Sequence, residues 1–174
     1  QQGVIATITE KVEGAAKLLD RFTLCNLVCF RSGKSHRACA ATFSAETQVS
    51  VTAVDAGTWV SWVLAAAPGV TPTPITWPVN RLIGTTDCAS LVDHLTGLKS
   101  RGRERSLVQF LGVLRAALAR GLLEALVHVA SLAQLADGQT KHKDGRISHK
   151  LLVECGFRLW TTPRRFGRIA QGEN

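Results

Sequence analysis

Residues 42–68, TFSAETQVSVTAVDAGTWVSWVLAAAP, decide the fold class of this chain. Apolar and small residues recur there at alternating steps of four and three, which is the spacing of one stripe along an α-helix. Pro68 ends the pattern, because proline has no backbone N–H to donate inside a helix. The stripe consists of Thr42, Glu46, Val49, Ala53, Ala56, Val60 and Val63. The spacing predicts a long helix with one carboxylate, that of Glu46, on its inner face.

Two segments on the amino-terminal side of this helix have the residue pattern of β-strands. Gly3–Glu10, GVIATITE, alternates apolar with small polar residues, and Phe22–Phe30, FTLCNLVCF, is a run of high β-propensity. The segment between them, KVEGAAKLLD (residues 11–20), is polar and contains a glycine. We therefore expect the two strands to pair in an antiparallel arrangement.

On the carboxyl-terminal side, the proline-rich stretch GVTPTPITWP (residues 69–78) predicts a surface loop. The elements predicted after it are a strand at Val79–Asp87, a short helical stretch at Ala89–Leu98, a helix marked by Leu107, Leu111, Leu114 and Leu118 and closed by Gly121, and a strand at Ala125–Val129. The resulting order, β, β, α, β, α, α, β, favours an α/β fold with a mixed sheet and helices packed on it.

The composition is that of a globular domain, with 174 residues of which 45% are hydrophobic. This excludes global disorder and a collagen-like repeat. The longest mostly apolar run, Trp59–Val70, is shorter than the roughly 20 residues of a bilayer-spanning helix, and no signal-peptide pattern is visible. We expect an intracellular, soluble protein with no membrane partner. We also expect buried free thiols, because the cysteines lack zinc-site spacing; they are Cys25, Cys29, Cys39, Cys88 and Cys155.

Charge is unevenly distributed along the chain. The formal net charge is +8, which favours an anionic partner, most commonly nucleic acid. Residues 141–174 hold eight Lys and Arg against three acids, a net charge of +5. We therefore expect a domain over residues 1–141 and a loosely ordered basic tail over 142–174, with one packed turn at Leu151–Val153.

Three acidic residues stand in contexts other than a plain solvated surface. Glu46 lies on a helix stripe, Asp87 at the end of a predicted strand, and Asp137 just beyond another strand, in QLADG. If they converge on one patch, their mutual repulsion favours a bound divalent cation. Taken singly, each also suits an ordinary structural role: an acid near a helix N-terminus, a capping residue and a turn residue.

Three segments together resemble the ribonuclease H domain of copia-type LTR retroelement polyproteins, which follows the reverse transcriptase domain. The segments are RSGKSHRACAATFSAET (residues 31–47), TTDCASLVDHL (residues 85–95) and LVHVASLAQLADGQTK (residues 126–141). Their order and approximate intervals agree with the family over residues 1–141. The Ser-Ala-Glu helix start and the Ala-Asp-Gly-x-Thr-Lys end are the most specific pieces.

The resemblance implies a ribonuclease H-like fold and an endonuclease that hydrolyses the RNA strand of an RNA–DNA hybrid. Family members hold two Mg²⁺ ions with four carboxylates, one ion activating water and the other stabilising the leaving oxygen. Glu46, Asp87 and Asp137 match the second, third and fourth acids. The implied partners are a hybrid duplex and a reverse transcriptase domain in the same polyprotein.

The first acid of the family has no match in this sequence. In the family it lies on the first, central strand, and the chain, which begins Gln1-Gln2 and contains no Met, is expected to be a segment of something longer. Loss of that strand would expose two strand edges. Ala41, Ala89 and the stretch VASLAQ (residues 129–134) also depart from the family pattern. These departures predict impaired catalysis.

Basic residues before the acidic helix suit contact with nucleic-acid phosphates: Lys34, His36 and Arg37. His142 follows Asp137 closely enough to be considered for product release, as in some ribonucleases H, but an exposed tail histidine is the favoured explanation; His94 and His128 are the histidines nearest the acids in sequence. The alternative function is that of a non-catalytic, basic nucleic-acid-binding remnant of a decayed retroelement, or of a product without a selected role.

Overall fold

The computed structural model describes residues 2–9, 22–33, 42–66, 82–97, 105–131, 134, 136, 154–158 and 169–171. These residues form three helices and six strands in a mixed α/β arrangement. In chain order the elements are β1 (Gln2–Thr9), β2 (Phe22–Gly33), α1 (Thr42–Ala66), β3 (Ile83–Thr86), α2 (Ala89–Leu95), α3 (Arg105–Ala119), β4 (Ala125–His128), β5 (Gly156–Arg158) and β6 (Ile169–Gln171). The α/β class and the order of the first seven elements are as the sequence predicts.

The strands form two three-stranded sheets, whereas the sequence predicts one mixed sheet. The first sheet has the order β1-β2-β5 and is antiparallel, with a bulge in β1 between Ala6 and Thr7. The second has the order β3-β4-β6, in which β3 is parallel and β6 antiparallel to β4. The division falls between β1 and β3, each of which is the edge strand of its described sheet, and α1 contacts both.

The hydrophobic core lies between the three helices and the second sheet. Its buried members come from every helix, from β4 and from β6: Val54, Leu91, Val92, Leu107, Leu111, Leu114, Ala117, Leu118, Leu123, Leu126 and Ala170. All four residues of β4 are buried, which is expected of a strand with neighbours on both edges and helices over its face. This core fixes β3 and β4, whose carboxyl ends carry the predicted acidic site.

Helix α1 buries a different face from the one that the apolar spacing predicts. Glu46 is half-buried and Val63 is 47% exposed, whereas the buried positions are mostly small or hydroxylated: Ser44, Thr47, Ser50, Val54, Gly57, Val60, Ser61 and Ala65. A Cβ on Gly57 would lie 2.5 Å from Leu82 Cδ1. The absence of a side chain at Gly57 therefore permits α1 to approach Leu82, directly before β3, this closely. Thr47 Oγ1 donates to the Phe43 carbonyl at 2.7 Å, which satisfies this hydroxyl inside the helix.

By length and composition alone, α1 could also cross a membrane. The segment Phe43–Ala66 has 24 residues, and 28% of its most apolar window is buried. The expectation that no segment is long enough rested on the uninterrupted run Trp59–Val70, but intrahelical hydrogen bonds let Thr47 and Thr52 extend an apolar helix. Helix α1 contacts β1, β3, α2 and α3, while Trp59 and Trp62 on it are exposed.

Within the basic carboxyl-terminal stretch, the structure describes residues 154–158 and 169–171, and these contain two short strands. Strand β5 pairs with β2, and β6 pairs with β4. Strand β5 supplies hydrogen-bond partners to the edge of β2 that faces away from β1, and β6 does so for the edge of β4 that faces away from β3. Ala170 of β6 is also buried in the core at 3% exposure. The predicted turn at Leu151–Val153 and the proline-rich stretch 69–78 lie outside the described residues.

The cysteines only partly follow the prediction of buried free thiols. Cys25, Cys88 and Cys155 are free, but only Cys25 is buried; Cys88 is half-buried and Cys155 is exposed. Cys155 begins the β5 segment at the outer side of the first sheet, where little lies over it. The side chain of Cys29 and all of Cys39 lie outside the described residues.

Gly121, which ends α3 as the sequence predicts, has a φ of +68°. Gly121→Ala is expected to lower the free energy of unfolding by about 1 kcal/mol, because an L-residue is strained in this region. A Cβ there would meet nothing within 4 Å, so the loss comes from the backbone alone.

Gly112 in α3 is the matched control, with equally open space and a helical backbone. Gly112→Ala should instead stabilise by up to about 1 kcal/mol; denaturant titration of both variants measures the difference, and equal effects would contradict the interpretation.

Candidate active site

The candidate site lies at the carboxyl end of β3. Thr86 is buried, and its Oγ1 accepts the backbone N–H of Cys88 at 3.1 Å, which turns the chain out of the strand. Asp87 lies in this turn and is half-buried. Helix α2 begins directly afterwards, at Ala89. Asp87 therefore occupies the strand-end position that the sequence predicts.

Glu46 of α1 and Asp87 both lie close to the Cys88 thiol. Burial raises the pKa of Cys88 above its usual value, and the negative charges of Glu46 and Asp87 raise it further, against the lowering effect of the Leu91 backbone N–H. The aromatic ring of Phe43 packs on the His94 ring at a centroid distance of 4.7 Å, joining the first turn of α1 to α2. Glu46 and Asp87 thus both influence the Cys88 thiol electrostatically, and the first turn of α1 lies against α2.

The segment that leads to the third acid is attached to β3. Gln134 Oε1 accepts from Thr85 Oγ1 at 3.3 Å, and Gln134 Nε2 donates to the Thr85 carbonyl at 3.3 Å. Thr85 is two residues before Asp87. Asp137 itself lies outside the described residues, as do Lys34, His36, Arg37 and His142, so their predicted roles remain predictions.

Two histidines, His94 and His128, lie near the end of β3 and differ in their hydrogen bonds. His128 ends β4 directly opposite Thr86, is 6% exposed, and its Nδ1 has no hydrogen-bond partner among the described residues. The Nδ1 of His94 is 2.8 Å from the Ser90 carbonyl, and its own carbonyl accepts from the Arg115 guanidinium at 2.6 Å. His94 is therefore held by structural contacts, whereas the buried Nδ1 of His128 has no hydrogen-bond partner among the described residues.

Asp93 was not singled out in the sequence, although the structure buries it. This α2 residue is 3% exposed, and it follows Leu91 and Val92, which are fully buried. The signal that could have found it is its place beside two core residues in a seven-residue helix. A carboxylate so placed must be hydrogen-bonded or ion-paired, since isolated burial of a charge is costly.

The donor chemistry fits a Mg²⁺ ion in part. Within the described portion of the chain, no group of three or more His, Cys, Asp or Glu side chains is arranged to hold a metal ion. Glu46 and Asp87 nevertheless supply two carboxylates, and Mg²⁺ in phosphate-processing sites is usually held by one or two carboxylates together with waters and substrate phosphates. The Cys88 thiol between them is a soft ligand that Mg²⁺ does not favour.

The proximity of the carboxylates to Cys88 predicts a measurable change in thiol reactivity. In Asp87→Asn or Glu46→Gln, loss of a negative charge should lower the pKa of Cys88, because the thiolate is then repelled less. At neutral pH the thiolate fraction rises, so alkylation of Cys88 by iodoacetamide should become several-fold faster. Asp55→Asn, an exposed α1 position, is the matched control and should leave the rate unchanged. Peptide-resolved mass spectrometry separates Cys88 from the other thiols; unchanged rates in both site variants would contradict the arrangement.

Comparison of the chain with protein-family models, with curated proteins and with solved structures gives no match in any of the three.

Proposed function

We propose that this chain is a ribonuclease H-type domain that hydrolyses the RNA strand of an RNA–DNA hybrid with Mg²⁺. The observation that carries the proposal is the position of Asp87 in the turn after β3, beside Cys88, whose pKa the negative charges of Glu46 in α1 and of Asp87 both raise. Asp137, which follows the Gln134 segment docked on Thr85, is proposed as the third carboxylate. These are the acids that the resemblance to retroelement ribonuclease H assigns.

The division of the sheet supports the same proposal. In the resembled fold the first strand lies between the strand equivalent to β1 and the strand equivalent to β3. Here β1 and β3 are the edge strands of separate sheets, and both contact α1. The first acid of the family belongs to that strand and has no match in these residues, so we propose that cleavage by the chain is weak.

The carboxylates of this chain would act by holding Mg²⁺ close to the scissile phosphate. If the carboxylates of Glu46 in α1 and Asp87 after β3 converge, their mutual repulsion would favour a bound cation between them. When bound, Mg²⁺ supplies an activated water and stabilises the leaving oxygen. The hybrid itself would be held by the basic residues, with Lys34, His36 and Arg37 against phosphates and the net charge of +8 attracting the duplex.

A combined binding and cleavage assay on an RNA–DNA hybrid tests the proposal. The unaltered chain should bind the hybrid with an affinity that falls about tenfold or more between 50 and 200 mM KCl, because phosphate contacts release counterions. With Mg²⁺ it should cut the RNA strand slowly. Asp87→Asn should remove the cutting but keep the binding, while Asp55→Asn should keep both.

The outcomes separate the two candidate functions. Steep salt dependence without cleavage in any variant would favour the non-catalytic nucleic-acid-binding role, which the unmatched first acid also favours. Affinity that does not change with salt would contradict both roles. Cleavage that is equal in Asp87→Asn and the unaltered chain would contradict the assignment of Asp87.

A further inference from the structure

Cys25 of β2 lies beside Cys155, the residue directly before β5. The antiparallel ladder of β2 with β5 ends with Leu24 opposite Gly156. The Cys25 backbone N–H donates to the Cys155 carbonyl at 2.7 Å, which continues the contact by one residue. Opposed residues of antiparallel strands have Cα atoms about 4.5–5.5 Å apart, and disulfides form at about 4.4–6.8 Å. The backbone contact therefore puts the two cysteines within reach of a disulfide.

The two thiols differ in their access to solvent. Cys25 is 5% exposed, whereas Cys155 is exposed, and neither is in a disulfide. Burial raises the pKa of Cys25, and the negative charge of Cys155 raises it further. Cys155 is therefore the thiol that a dissolved oxidant reaches first. Both line one surface pocket, together with Ile8, Thr9, Leu24 and Asn26.

The backbone at Cys155 is held in an unusual conformation. Its φ is +48°, in the left-handed region that residues other than glycine rarely adopt. The hydrogen bond from Cys25 maintains this conformation by fixing the Cys155 carbonyl. Such conformations persist where surrounding contacts determine them, and here the contact that does so is with the other cysteine.

We propose that Cys25 and Cys155 form a peroxide-oxidised dithiol site that fastens β5 to β2. The Cys155 thiolate attacks hydrogen peroxide, which breaks the O–O bond, gives the sulfenic acid and releases hydroxide, which takes up the proton that the thiol gave. The Cys25 sulfur then attacks the sulfenic sulfur, the S–S bond forms, and water leaves with the Cys25 proton. Two thiols and one peroxide thus become one disulfide and two waters. Thiol reductants reverse the bond by exchange.

The disulfide would join parts of the chain that are distant in sequence. Strand β5 is three residues long, and its described pairing is with β2 alone. A bond between residues 25 and 155 closes a long loop in the unfolded chain, which is the case in which a disulfide stabilises most in the chain-entropy model. Oxidation would thereby anchor the basic carboxyl-terminal stretch to the first sheet.

Peptide mapping and thermal unfolding of the full chain test the proposal. After treatment of the reduced chain with stoichiometric hydrogen peroxide, non-reducing mass spectrometry should show a Cys25–Cys155 linked peptide with the loss of two hydrogens. The Tm should rise by about 5–10 °C and return on addition of dithiothreitol. Cys155→Ser should lose both effects, and Cys25→Ser should stop at a sulfenic acid on Cys155 that dimedone traps.

Cys88→Ser is the matched control, because Cys88 is a free thiol in the other part of the fold. It should keep the linked peptide and the Tm shift. Linkage of Cys155 to any other cysteine, or oxidation of Cys155 to sulfinic acid with Cys25 unmodified, would overturn the proposal. Since the mapping is done on the unaltered chain, a variant that misfolds does not affect this result.

Discussion

A chain extended ahead of Gln1 by one β-strand carrying an aspartate is expected to cleave an RNA–DNA hybrid on the order of 100-fold faster than the unextended chain. Among the described residues, β1 and β3 are edge strands of their sheets, and both contact α1. In the resembled fold the added strand lies between them and carries its aspartate toward the acid at the end of β3. The added carboxylate completes the set of four that the proposed reaction needs. Initial rates of RNA-strand cleavage with Mg²⁺ measure the effect.

The matched control is the same extension with asparagine at the aspartate position. Because both extensions complete the sheet equally, a gain in rate with aspartate alone separates chemistry from stability. Equal rates in the asparagine extension and the unextended chain are expected, together with a higher Tm in both extended chains. If both extended chains fold and neither cleaves, the catalytic proposal is wrong and the binding function remains.

Leu114→Ala is expected to lower the free energy of unfolding by about 3 kcal/mol. Leu114 is fully buried in α3 at the centre of the core cluster, so truncation loses apolar burial and leaves a cavity among packed neighbours. For a domain of this size the loss corresponds to a Tm lower by roughly 6–12 °C. Urea titration followed by circular dichroism measures it.

Val113→Ala is the control on the same helix, one residue away. Val113 is 46% exposed, so its truncation should change the free energy of unfolding by no more than about 0.5 kcal/mol. Alanine is also the better helix former, which offsets the small loss of burial. Comparable losses in the two variants would mean that α3 does not pack by the face that the structure shows.

The elements of the fold were largely predictable because their signals are local. The four leucines of α3 recur every three or four residues, and all four are buried at 5% exposure or less. Pro68 and Gly121 marked helix ends through the restricted backbone of proline and the permissive backbone of glycine. The short strands β5 and β6 were missed because three residues are too few for a period, and their basic neighbours dominated the composition.

The candidate site was predictable in its members and only partly in its surroundings. Asp87 was expected at a strand end because a hydrophobic run stops there, and the structure places it in the turn after β3. The influence of Glu46 on the Cys88 thiol and the hydrogen bonds of Gln134 to Thr85 depend on contacts between segments tens of residues apart. The burial of the His128 Nδ1 without a hydrogen-bond partner among the described residues is likewise a property of the folded structure.

The sequence by itself determined the three helices and the strands β1 to β4, since helix and strand periods, proline and glycine act within a few residues. Only the tertiary structure decided which face of α1 is buried. The apolar residues of α1 lie all around it, and close packing against Leu82 selected the small-residue face containing Gly57. The tertiary structure also decided that the strands form two sheets and that Cys25 meets Cys155, because register and strand neighbours depend on long-range backbone hydrogen bonds that no local pattern encodes.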